Sequence, residues 1–413
     1  MHVFWIPRPV RKVIAPSFAA FSFTLPVVLF HFFSFCPYTV LLNLIVIPLM
    51  SIVIIMSFLA VGLSFLLEPA AKFLIGSVYY VLVFYQKLCE GVAKLPCASV
   101  TCGRPAIVFI LAFYLFYGCW IVCSLSRDVQ RKKKRLAKAG MLTAFLVCFL
   151  SVMQSAFHAE TVLFSVGQGD CAVVRQNGKT FILDAGPGYD RVLKPYLQCR
   201  GIHTIDGIFL SHMDKDHSEG IMRLLEDPDF TVRCLYLPDN ACHDFSALPS
   251  DHKKVLLSAG DSVRSGQLRF ACCSPVKGFP YQDENSASLC LHLVTKNGTI
   301  YMSGDSDIPA EQILLQRGEE WKSDVLKVGH HGSRTSTSEQ LLEAVSPKFA
   351  FISCGAGNSY GHPHREVLDR LKEQNIQAWV SFETGALMMT YGRVISYREE
   401  YIKRWMSQAQ WIS

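Results

Sequence analysis

The stretch Ser211-His212-Met213-Asp214-Lys215-Asp216-His217-Ser218-Glu219-Gly220 follows the apolar run Gly207–Leu210 and precedes a helical pattern over Glu219–Glu226. A short apolar run closed by a polar turn reads as a buried strand. The turn after it carries His212, Asp214, Asp216 and His217, four ligand-type side chains within six residues. Imidazole nitrogens and carboxylate oxygens both donate to divalent ions, and a set this dense has room for two of them. A solvated loop has no reason to gather these residue types directly behind an apolar strand.

Similar turns recur on both sides of this one. Leu183-Asp184-Ala185-Gly186 and Ser303-Gly304-Asp305-Ser306-Asp307 each set an Asp just past an apolar run. Lys327-Val328-Gly329-His330-His331-Gly332-Ser333 places paired histidines at another strand end, and Asn358-Ser359-Tyr360-Gly361-His362-Pro363-His364 adds two more. Either Asp turn alone would pass for an ordinary Asx turn. Their recurrence at one kind of position makes the pattern a site. Strands are expected at 161–166, 171–175, 180–183, 288–294, 299–302, 325–328, 349–353, 378–381, 386–390 and 394–397. Asn177-Gly178 and Asn297-Gly298 serve as hairpin turns. Helices are expected at 310–316, 338–344 and 364–373. Strand groups alternating with helices describe a layered α/β domain.

The chain before residue 159 is a different material. Residues 1–158 carry 14 Lys+Arg against 3 Asp+Glu, net +11, whereas the remaining 255 carry 26 against 31, net −5. Half of the 413 residues are apolar and 18% are charged, against about 25% charged in ordinary soluble domains. No charged side chain occurs between Val13 and Leu67, enough chain for two spans at about 20 residues each. The Cys36-Pro37-Tyr38 break divides it into 17–36 and 40–67. Further spans are expected at 105–126 and 139–159. The loop 127–138, with seven basic residues and one Asp, is expected in the cytoplasm, as is an N-terminus bearing Arg8, Arg11 and Lys12. Both conditions hold only if 73–86 also crosses or dips into the membrane. The expected organisation is four or five transmembrane helices over 1–158 and a soluble domain over 159–413 on the external face. Fifteen cysteines without a CxxC pair indicate buried thiols rather than a disulfide framework.

The phrases "FSVGQGDCAVV", "LSHMDKDHSEG", "LKVGHHGSRTS" and "NSYGHPH", following "LLNLIVIPLMS", resemble the ComEC competence family of DNA-uptake membrane channels. The similarity runs over nearly all of residues 40–413. It implies a membrane α-helical segment, the tail of a channel domain, followed by a metallo-β-lactamase-like αββα sandwich. It further implies that one DNA strand passes the channel while the external domain degrades the other. Family members carry an N-terminal soluble domain and a longer channel region, so a fragment, a split protein or a homo-oligomer is expected.

Within that resemblance, His212, Asp214, Asp216, His217, Asp305 and His331 are the expected ligands for one or two ions of zinc or manganese. Asp216, His330, His331 and Ser333 are the expected catalytic groups, and Asp184 is expected to orient a ligand histidine. Asn285 stands where many hydrolases of the fold have a third-motif histidine. Asn285, Lys327, Arg334, His362 and His364 are expected to meet the substrate. The net −5 of the domain argues against broad electrostatic capture of DNA, so the DNA substrate rests on the resemblance. The competing readings are a membrane-tethered hydrolase of small anionic esters and an inactive transport or scaffold component.

Overall fold

The computed structural model describes residues 8–125, 140, 159–390 and 392–396. The chain divides into two compact units, Met1–Ser151 with Gln198–Gly201, and Val152–Leu197 with Ile202–Ser413.

The first unit is helical, with helices Arg8–Phe32, Thr39–Ser64, Glu68–Ala93 and Ile107–Leu125. Two helical stretches among the described residues are long and apolar enough to cross a bilayer: Ile14–Phe32, mean hydropathy 1.6, and Thr39–Ser64, mean hydropathy 2.9. The residues expected to dip or cross at 73–86 lie inside the helix Glu68–Ala93. Phe58, Phe65, Leu66, Phe73 and Tyr80 are all more than 70% exposed. Apolar exposure on that scale suits lipid rather than water. The basic loop 127–138 and nearly all of the expected span 139–159 lie outside the described residues.

The second unit holds two large sheets. In spatial order the first comprises Lys254–Leu257, Leu235–Pro238, Gly207–Phe209, Lys179–Ala185, Cys171–Gln176, Glu160–Leu163, Leu387–Thr390 and Arg393–Ser396. The second comprises Ser262–Ser265, Leu268–Ser274, Cys290–Thr295, Gly298–Met302, Val325–Lys327, Phe349–Ile352 and Gln377–Val380. Each is antiparallel in one half and parallel in the other.

Period-2 alternation sorts their side chains into layers. Phe181 and Leu183 face the core between the sheets, joined by Phe209, Phe270, Leu291, Ile300 and Phe351. Ile182 and Ile208 point the other way, to the helix Lys215–Glu226 with its buried Ile221 and Leu224. On the far side Tyr301, Leu326, Ala350 and Ile352 pack under the helices Glu339–Val345 and Arg365–Glu373 through Leu341, Leu342, Val367 and Leu371. Phe209 and Phe270 stack across the inter-sheet core at 4.4 Å between ring centroids. Helix, sheet, sheet, helix is the αββα sandwich. The parallel strands of both sheets end at one edge, where ligands usually bind such sheets.

Candidate metal centre

Four elements deliver the side chains. Asp184 closes the strand Lys179–Ala185, and His212 to His217 follow Gly207–Phe209 into the helix Lys215–Glu226. Asp305 follows Gly298–Met302, and His330 with His331 follow Val325–Lys327. The helix start sits tight against the first sheet because Gly169 and Gly186 carry no side chain. A Cβ on either would collide with the Asp216 carbonyl. That carbonyl accepts from Asp170 N at 3.0 Å, and the Asp170 carbonyl accepts from Gly186 N at 2.8 Å. His330 and His331 both adopt positive φ, 45° and 55°, a conformation that costs non-glycine residues energy and clusters at functional sites.

One atom each from Asp216, His217, Asp305 and His331 lie within 4.8 Å of one another. His217 Nε2 is 3.2 Å from Asp305 Oδ1, and His331 Nε2 is 3.1 Å from Asp216 Oδ2 and 3.5 Å from Asp305 Oδ2. The rings are fixed from behind. His217 Nδ1 meets Asp184 Oδ2 at 3.0 Å, and His331 Nδ1 donates to the Ser353 carbonyl at 2.8 Å. Asp184 is itself held by Ser211 N at 2.7 Å. His212 is fully buried, its Nδ1 2.9 Å from Ser211 Oγ and its Nε2 3.6 Å from Asp214 Oδ2. His212 Nε2, His217 Nε2 and Asp305 Oδ1 are buried without a hydrogen bond. Orphaned polar atoms at that depth are costly, and a divalent ion among them would supply what they lack. The donor set, imidazole nitrogen and carboxylate oxygen, fits such an ion.

The charges agree. Burial works to raise Asp216, but the hydrogen bond to His331 and the nearby His217 pull its carboxyl down to about 2. Burial opposes charge on His217, yet Asp305 and Asp184 carry it well above the usual imidazole range. His362 moves the other way, to about 4, through burial and the neighbouring His331, His364 and His330.

The cluster opens into a cavity of about 520 Å³ lined by Gln168, Asp214, Lys215, Asp216, Glu219, Asn285, Asp305, His330, His331, Tyr360 and His362. Four expected contacts, Lys327, Ser333, Arg334 and His364, are not among its lining residues. Lys327 is 1% exposed. Its ammonium pairs with the buried Asp170, donates to the Gly304 carbonyl at 3.1 Å and stands 3.7 Å from Asp305 Oδ1. It is an internal counter-ion to the acid cluster and not a surface hook for phosphate. Ser333 is buried, and its hydroxyl bonds Thr335 Oγ1 at 3.0 Å. His364 Nδ1 accepts from Arg334 N at 3.1 Å, just before the helix Arg365–Glu373. Arg334 is exposed. Two site residues carry no clear signal in the sequence: Asp170, within the glycine-rich Gly167-Gln168-Gly169-Asp170, and the cation Lys215 on the cavity wall.

With this geometry in place, comparison with known proteins is direct. Residues 2–127 match the competence protein family, and residues 164–356 match the metallo-β-lactamase superfamily. The ComE operon protein 3 of Bacillus subtilis is 28% identical over 406 residues, 89% of this chain and 50% of that protein. The similarity to competence proteins thus runs over most of the chain. Competence protein ComA of Neisseria gonorrhoeae is 28% identical over 258 residues, covering 62% of this chain and 36% of that protein. The chain spans half or less of the length of these relatives. Among solved structures, the metallo-β-lactamase fold protein YhfI of Bacillus subtilis covers 54% of this chain and 96% of its own, with 12% identity and a TM-score of 0.40. The first part of the chain is thus similar to competence proteins and holds two helices apolar enough to cross a membrane, and the second is similar to the metallo-β-lactamase superfamily.

Proposed function

We propose that the second unit is a metal-dependent phosphodiesterase that cuts DNA outside the cell membrane. The observation that carries the hydrolytic part is the convergence of Asp216, His217, Asp305 and His331, with two of their atoms buried and orphaned, at the foot of an open cavity. The DNA substrate is carried by the similarity to competence proteins. The first unit anchors the chain through four or five spans, and a further channel part or a second copy completes any pore.

In this reading His212, Asp214, Asp216, His217, Asp305 and His331 hold one or two ions, zinc or manganese. A divalent ion supplies phosphate polarisation and an acidified water there. The chain's own groups do the rest. Asp184 and the Ser353 carbonyl hold the His217 and His331 rings so that their Nε2 atoms face the Asp305 and Asp216 carboxylates. The ionised Asp216, on the cavity wall, accepts the proton of the attacking water. His330 and His362, kept neutral by burial, offer ring N–H groups to phosphate oxygens, and Asn285 and Lys215 extend that contact along the cavity.

A second reading, hydrolysis of small anionic esters, is favoured by the acidic wall of Asp214, Asp216, Glu219 and Asp305, which repels a polyanion. The experiment sets the metal-loaded protein against labelled DNA and a small phosphodiester. Cleavage of both supports the nuclease. Turnover of the small ester alone, at every salt and metal condition, transfers the assignment to the ester hydrolase.

A further inference from the structure

We infer that Tyr360 is a stacking platform for one unpaired nucleobase of the strand being cut; this rests on the nuclease reading above and narrows its substrate to a nucleotide out of the duplex stack. Tyr360 is 65% exposed, the most exposed large aromatic of the second unit among the described residues. One face of its ring lies against His362, centroids 5.7 Å apart and planes within 20°. With 65% of the residue exposed, much of the ring remains free to take a ligand. The ring lines the same cavity as Asp216, Asp305 and His331.

The loop that carries it is braced. Asn358 Nδ2 donates to the Gly355 and His362 carbonyls at 2.9 and 2.6 Å, and Asn358 Oδ1 accepts from His362 N at 3.0 Å. An exposed aromatic on a fixed loop loses little freedom on binding, which suits a recognition surface. The cavity, about 520 Å³, is of small-ligand size, so a single extruded nucleotide fits where a stacked duplex does not. Lys215 and Glu219 line it too, which leaves Lys215 as a cation for a neighbouring phosphate. Stacking is tolerant of base identity, as a nuclease without sequence preference requires.

The test measures affinity of the full-length protein in detergent, with calcium in place of the activating metal, for three fluorescent DNA probes. These are a single strand, the same strand with abasic positions throughout, and the blunt duplex. Tyr360→Ala is expected to weaken single-strand binding by roughly 5- to 150-fold, the range of base–aromatic stacking. Tyr360→Phe, which keeps the ring, restores it. The wild type is expected to bind the abasic strand as weakly as Tyr360→Ala binds the normal one. Equal affinity of wild type and Tyr360→Ala for the single strand, or equal affinity of the wild type for normal and abasic strands, overturns the stacking role and leaves the nuclease reading intact. Wild-type protein that binds none of the three probes overturns both.

Discussion

Replacing Lys327 by Met tests the electrostatic account of the centre. Lys327 and Asp170 are 1% and 3% exposed, and their charged groups touch. Burial alone would strip the ammonium of its proton, but the Asp170 and Asp305 carboxylates raise its pKa instead. Lys327 is therefore charged throughout the neutral range. Removing the cation strands a buried carboxylate, at a cost of about 3–5 kcal/mol. Asp305, 3.7 Å away, loses part of its neutralisation as well, which places the loss in the upper half of that range. For a domain of this size each kcal/mol lowers the melting temperature by about 2–4 °C, so a drop of roughly 8–20 °C is expected. Thermal unfolding of the full chain in detergent with excess chelator reads it without a contribution from bound metal. The double variant Asp170→Asn with Lys327→Met replaces the pair by neutral groups and is expected to recover most of the loss, because an intact buried ion pair contributes little net stability. A single variant within about 1 kcal/mol of wild type, or a double variant no better than the single, refutes the reasoning.

Other expectations follow from the same geometry. Gly186→Ala drives a Cβ into the Asp216 carbonyl; overpacking of this kind costs about 1–3 kcal/mol or more, and elemental analysis should show metal lost along with stability. In the metal-free protein, the Asp216 carboxyl should titrate near pH 2 by carbon NMR, and His331→Ala should move that midpoint upward. The folded value lies below the unfolded one, so this group's stabilisation is present above about pH 4 and lost as pH falls through about 2. An unmoved midpoint in His331→Ala contradicts the assigned hydrogen bond. Cysteine labelling in intact cells should place the loop 127–138 in the cytoplasm and the second unit outside; cytoplasmic labelling of the second unit refutes the proposed topology.

The parts of the fold legible in the sequence were those with clean alternation and turn chemistry. Strands near Lys179–Ala185, Gly298–Met302 and Val325–Lys327, and helices near Glu339–Val345 and Arg365–Glu373, lie where the pattern set them. The segment 231–274 offers no strand pattern in the sequence, yet it contributes Leu235–Pro238, Lys254–Leu257, Ser262–Ser265 and Leu268–Ser274. Leu268–Ser274 is buried on nearly every residue, so it shows no alternation to read. Lys254–Leu257 and Ser262–Ser265 are sheet edges whose exposed residues imitate loop. At the centre, His212, Asp216, His217, Asp305 and His331 were legible because each closes or follows an apolar strand. In sequence Lys327 looks like a substrate contact, because lysine is seldom fully buried without a partner and its partner, Asp170, lies in a glycine-rich turn 157 residues earlier. Its position at the end of the apolar run Val325-Leu326 was the one available signal.

The most direct test of the central claim combines metal content with DNA cleavage on one preparation. Full-length protein is stripped with chelator, reloaded with zinc or manganese, analysed for bound metal, and offered end-labelled single-stranded DNA. The account predicts one to two ions per chain and cleavage that appears only after reloading, with ions and cleavage lost together in His217→Ala. A chain that binds no divalent ion, or cleavage that survives chelation and His217→Ala unchanged, contradicts it.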